Sequence, residues 1–137
     1  MTLDAADKKA LSDIRMEKAR EFLEDARANL RESRHRTAVN RCYYAVLSSA
    51  RALLILEGAN PETHEGILPL LSLRFVKSKL LSVKTIKDFK LLLSRRTDVD
   101  YGDFETLSPT DAEDSLKIAE EIIRDMDNVR KEMVKRL

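Results

Sequence analysis

A chain of 137 residues is the size of one domain, with enough length to bury a core and too little for a second large unit, so a single domain over residues 1–137 is expected. Lysine and arginine total 25 against 24 acidic residues, and a net charge of +1 excludes the global positive field of a strongly basic nucleic-acid binder while leaving room for a local basic patch. The 43% apolar content beside 36% charged residues, with three Gly, three Pro and 5% aromatics, excludes disordered and all-β classes.

In chain order, Leu11, Ile14, Ala19, Phe22, Leu23, Ala26 and Leu30 recur at three- and four-residue steps, which predicts an amphipathic helix between Asp4 and Ser33. A polar break at Arg34, His35 and Arg36 precedes a second helix to Glu57, closed by Gly58 in the position of a left-handed cap. Pro61 and Thr63 open a shorter helix through Ile67, Leu70, Leu71 and Phe75, with Pro69 as the place for a kink. Thr85, with Asp88 three residues on, reads as the start of a helix carrying Ile86, Phe89, Leu92 and Leu93 to Arg95 and Arg96, ending by Gly102. Beyond Ser108 and Pro109, Thr110 and Glu113 read as a capping box for a last helix, where Ala112, Ala119, Met126 and Met133 recur every seven residues. The sum is an all-α, up-and-down bundle of four to five helices.

The second helix carries unusual information. Asn40, Tyr44, Ser48 and Arg51, flanked by Thr37 and Arg41, fall on one narrow polar stripe of an otherwise apolar cylinder. Buried polar groups must find partners, because one left unpaired costs about 1–3 kcal/mol. The stripe is therefore either an internal network or a binding site. Its apolar girth also exceeds what three neighbours in a small bundle readily cover, which argues for a homodimer through this region. The lone Cys42, set among apolar residues, reads as a core side chain and excludes a disulfide framework.

The densest polar cluster runs from Arg95 to Gly102. Arg96 and Asp100 are four apart and pair on a continuous helix. Arg96 and Tyr101 are five apart, about 140° around a regular helix, so a shared ligand requires the backbone to loosen near Val99 to Gly102. In that arrangement Arg96 offers a planar fork suited to phosphate and Tyr101 a hydroxyl. Metal and cofactor readings find no support. His64-Glu65 is followed by Leu68 where a zincin needs its second His, His35 lacks a partner at ligand spacing, and neither a Gly-rich phosphate loop nor a nucleophile elbow is present. No apolar run of about 18 residues offers a membrane span or a signal segment, so a soluble cytoplasmic protein is expected.

Taken in order and spacing, Asn40-Arg41-Cys42-Tyr43-Tyr44-Ala45-Val46, Ala52-Leu53-Leu54 before Glu57-Gly58, Thr63-His64-Glu65-Gly66, and Arg96 through Asp100-Tyr101-Gly102-Asp103-Phe104 resemble the HEPN family of prokaryotic helical proteins, over roughly residues 15 to 130. The resemblance implies a helical bundle that dimerises so that polar motifs of two subunits share a cleft. It implies either a metal-independent RNA endonuclease, commonly the toxin of a toxin–antitoxin pair with a small nucleotidyltransferase as antitoxin, or a non-cleaving nucleotide- or RNA-binding adaptor. Carried over by motif position, Arg96 would contact phosphate, Tyr101 would donate a hydrogen bond or proton, and Asp100 would act as base or hold Arg96. Asn40, Tyr44, Arg41 and Arg51 would extend the nucleotide- or RNA-binding face. Members that cleave usually carry His where this chain has Tyr101, and an unperturbed phenol, with a pKa of about 10, is a poor base near neutral pH.

Overall fold

A computed structural model describes residues 2–102 and 107–137; Asp103 and Phe104 of the motif run lie outside the described residues. Among the described residues there are five α-helices: α1 (Ala5–Arg31), α2 (His35–Ile55), α3 (His64–Leu71), α4 (Val83–Tyr101) and α5 (Pro109–Lys135). The described residues contain no strand, and the fold is the all-α bundle expected. Polar contacts between helices fix their directions. Ser12 Oγ donates to the Ala52 carbonyl at 2.7 Å and Ser48 Oγ to the Arg15 carbonyl at 2.8 Å, so α1 and α2 run antiparallel. Arg130 meets Asp13 at 2.7 Å and Arg20 meets Asp127 at 3.2 Å, which sets α5 antiparallel to α1. Asn40 to Asp100 and Tyr44 to Arg96 place α4 antiparallel to α2.

The sequence of α2 explains its place at the centre. Val39, Cys42, Tyr43, Val46, Leu53, Leu54 and Ile55 are buried, and α1, α3, α4 and α5 all pack on them. Four elements of the same chain thus cover the buried positions of α2, so its apolar girth does not by itself require a homodimer. The fourth neighbour is the short α3, whose His64 packs on Tyr43 and Tyr44 of α2. Burial pushes the Cys42 thiol up to about 12, as expected of a core side chain.

Helix ends follow side-chain chemistry, with two corrections. Gly58 adopts φ 78°, and the Ala59 N–H reaches the Leu54 carbonyl, the left-handed cap the sequence calls for. Thr63 caps α3 by accepting from the Gly66 N–H. The start of α4, however, is capped by Ser82, which accepts from the Thr85 N–H, while Asp88 pairs with Lys84 at 2.7 Å. Likewise α5 begins at Pro109, with Ser108 and Asp111 exchanging both bonds of the capping box. Both true caps sit two or three residues earlier than the Thr-x-x-acid patterns suggest, because Ser with extended φ and ψ precedes each helix. Pro69 lies within α3 without ending it, and the chain continues into a π-helical turn over Ser72–Val76 that seats Phe75 in the core.

Candidate functional site

Antiparallel packing of α2 on α4 brings the two motif runs together. Arg96 is the hub. Its Nη2 donates to the Tyr44 hydroxyl at 2.9 Å, and its Nε lies 2.8 Å from Asp100 Oδ2, a close ion pair whose N–H is not aligned for a hydrogen bond. Asn40 Nδ2 donates to both Asp100 oxygens, at 3.2 and 3.3 Å. The guanidinium carbon lies 5.5 Å from the ring centres of both Tyr43 and Tyr44 and 5.8 Å from that of Tyr101. Burial alone would lower the Arg96 pKa, but Tyr44 and Asp100 more than offset it and hold it raised, so the cation is permanent. Its side chain keeps 16% exposure, so it is not sealed from solvent.

Asn40, Tyr44, Arg96 and Asp100 therefore form one network, as the stripe on α2 and the i,i+4 pair on α4 suggest. The expected loosening near Val99 does not occur: α4 runs unbroken through Tyr101, and Gly102 caps it in an extended conformation. Tyr101 approaches Arg96 from the last turn of a regular helix because two long side chains span the angle between them, and the residue remains 73% exposed. Arg41 lies beside this network, lining a shallow cleft with Arg36, Thr37, Asn40 and Asp100, while its guanidinium sits 5.9 Å over Phe22. Arg51 stands apart, one side of Tyr44 away from Arg96, in a second groove with Arg15, Lys18 and His64.

Two neighbours, Tyr43 and His64, have a larger part than sequence reasoning gave them. Tyr43 is buried, yet its hydroxyl meets His64 Nδ1 at 3.1 Å and its ring backs Arg96. Burial, then the charges of Arg51 and Arg96, lower the His64 pKa, so its imidazole is neutral near pH 7. Burial likewise raises the Tyr43 phenol, keeping it protonated. Tyr43 shares the Tyr-Tyr motif with Tyr44, and His64 opens α3 in the Thr-His-Glu-Gly run; those motif positions were the available signal. Among the described residues, no group of three or more His, Cys, Asp or Glu side chains is arranged to hold a metal ion.

Comparison with known proteins gives this geometry a family. The HEPN domain matches residues 12–129. The chain belongs to the HEPN family. A "UPF0332 protein" of Thermotoga maritima is 32% identical over 103 residues, spanning 75% of this chain and 78% of the relative. Two proteins of Methanocaldococcus jannaschii, each named "Putative toxin", are also similar. One is 39% identical over 44% of this chain and 46% of its own length, the other 33% identical over 63% and 58%. The likeness to those two thus spans about half of each. Within this HEPN domain the Asn-Arg-x-Tyr-Tyr-Ala run supplies Asn40 and Tyr44, and the Arg-x-x-x-Asp-Tyr-Gly run supplies Arg96, Asp100 and Tyr101. No helix of the described residues is long and apolar enough to cross a membrane.

Proposed function

We propose that this HEPN domain is a metal-independent RNA endonuclease acting as the toxin of a toxin–antitoxin pair, with a nucleotidyltransferase-type protein as its antitoxin. The observation that carries the reading is the Arg96 hub: a permanent cation, immobilised by Tyr44 and Asp100 and only partly buried, in a family with relatives named as toxins. In the proposed reaction the ribose 2′-hydroxyl attacks its adjacent phosphorus; the 2′-O–P bond forms as its proton passes to solvent water, and the P–O5′ bond breaks as the leaving 5′-oxygen takes up a proton, leaving a 2′,3′-cyclic phosphate and a 5′-hydroxyl. Arg96 stabilises the charge that builds on the phosphoryl oxygens, as a preorganised donor does best in a partly dry site. Tyr101, exposed beside it, donates to the phosphate or to the leaving oxygen. Asp100 accepts from Asn40 and pairs with Arg96, which suits a positioning role more than that of a base. A homodimer that apposes two such open clefts is part of this proposal and rests on the family resemblance.

The test is cleavage of mixed cellular RNA by purified protein with EDTA present, beside growth arrest on expression. Wild type is expected to cut, and Arg96→Ala to lose about 100- to 1,000-fold in rate with unchanged helical circular dichroism. Equal cutting by both proteins removes Arg96 from the site. Absence of cutting and of growth arrest, with nucleotide or RNA still bound, turns the reading to the non-cleaving adaptor, which Tyr101 in place of His favours.

A further inference from the structure

Next to the Arg96 hub lies a groove of about 350 Å³ between α1, α2 and the start of α3. Arg15, Lys18, Arg51 and His64 line it, with the rings of Phe22 and Tyr44, and no carboxylate does. This is unusual in a chain of nearly balanced charge, where among the described residues 16 ion pairs occupy many other cations. Among the described residues none of Arg15, Lys18 and Arg51 is in an ion pair; Arg15 Nη1 only donates to the Arg51 carbonyl, at 3.4 Å, and Arg51 Nε is buried without a partner. Two half-buried arginines line the same groove, and burial together with the Arg51 charge lowers the Arg15 pKa. An arrangement of that kind is relieved by an anion, and the forks of Arg15 and Arg51 match phosphate oxygens.

We infer that the Arg15–Lys18–Arg51 groove is a phosphate-binding subsite that takes the backbone phosphate flanking the one held at Arg96, so that the substrate is a single RNA strand spanning both. The inference rests on the function proposed above and extends it. Tyr44 is the shared wall: its hydroxyl holds Arg96 and its ring faces the groove, 6.0 Å from Phe22. Cations alternating with aromatic rings suit a single strand, whose phosphates need charge and whose unpaired bases stack. His64, fixed by Tyr43, adds a neutral imidazole to the wall without adding to the repulsion.

The experiment measures binding of a fluorescein-labelled single-stranded RNA 12-mer by anisotropy over a series of salt concentrations. All proteins carry Arg96→Lys, so that the phosphate-contacting charge remains while cleavage is slowed. Adding Arg15→Gln and Arg51→Gln is expected to lower affinity by about 100-fold and to reduce the salt slope by about two, one for each lost phosphate contact. Lys18→Gln, at an exposed position that leaves the fold intact, is expected to reduce the slope by about one. The matched pair Lys117→Gln and Arg124→Gln, on the exposed side of α5, removes equal charge elsewhere and is expected to change little. Competition by AMP at the same groove, lost in the Arg15/Arg51 variant, would assign the phosphate to a free nucleotide, whereas competition only by unlabelled RNA assigns it to the strand backbone. Unchanged affinity and slope in both the Lys18 and the Arg15/Arg51 variants overturns the subsite. If wild type still cuts RNA in that case and Arg96→Ala does not, the proposed function stands without it.

Discussion

His64 is held between a hydrogen bond from one side and two positive charges from the other. The Tyr43 hydroxyl meets its Nδ1 at 3.1 Å, and Arg51 and Arg96 lower its pKa after burial has done so. Replacing Arg51 with Gln removes one of the two charges and leaves the burial, so the His64 pKa is expected to rise toward the ordinary histidine range without reaching it. Titration of the imidazole by NMR in wild type and Arg51→Gln checks this; a fall or no change places Arg51 away from the ring. At the scale of single residues the sequence is informative along a helix and silent across helices. Asn40 with Tyr44, and Arg96 with Asp100, are each four apart and fall on common faces, so both halves of the hub are legible. Arg15, Lys18 and Phe22 also share a face, at steps of three and four, but nothing in α1 alone shows that Arg51 stands opposite them, 36 positions away from Arg15. Tyr43 reads as core and is core; that its hydroxyl also anchors a histidine depends on where the loop after Gly58 returns.

Among the helices, apolar periodicity located every element, and cap chemistry decided where each begins. Thr110 and Glu113 satisfy the capping-box pattern, yet Ser108 and Asp111 form the box, because Pro109 already has the φ of a first helical residue and Ser108 is extended before it. The two candidates therefore differ in a measurable way. Ser108→Ala removes the acceptor for the Asp111 N–H at 3.0 Å and is expected to cost about 1 kcal/mol. Thr110→Ala, an exposed change within the first turn, is expected to lie within about 0.5 kcal/mol of wild type. Urea unfolding followed by circular dichroism separates them, and equal effects would place the cap elsewhere. The same logic holds at the start of α4, where Ser82 and not Thr85 is the cap: Thr85 is buried inside the first turn and donates its N–H to Ser82. Continuity at the far end of α4 matters for function, since an unbroken last turn is what holds Asp100 and Tyr101 on either side of Arg96.

Across the whole molecule, the hub depends on α2 being held rigidly in register, and α1 is the helix that does most of that holding from behind. The α1–α5 seam is in turn closed by ion pairs centred on Arg130, whose side chain is 9% exposed and reaches Asp13 at 2.7 Å and Asp127 at 2.9 Å. Burial by itself would raise the Asp127 pKa, but the hydrogen bonds and charges of Arg130 and Lys131 more than offset that and hold it below the usual carboxylate range; hydrogen bonds from Lys9 and Arg130 lower Asp13 in the same direction. A carboxylate whose folded pKa lies below its unfolded value of about 4 contributes stability that is fully present above that value and is lost as pH falls through the folded pKa. Acid is therefore expected to weaken this seam first, with the urea midpoint falling between about pH 5 and about pH 3. Asp127→Asn is expected to lose about 2 kcal/mol near neutral pH, where the charged hydrogen bonds are lost, and to show a flatter decline in acid than wild type. Because Asp127 lies on α5, far along the chain from Arg96, RNA cleavage by the folded variant is expected to match wild type near neutral pH. A variant as acid-sensitive as wild type would show that the pH response arises at other carboxylates, and a loss of cleavage in the folded variant would tie this seam directly to the Arg96 hub.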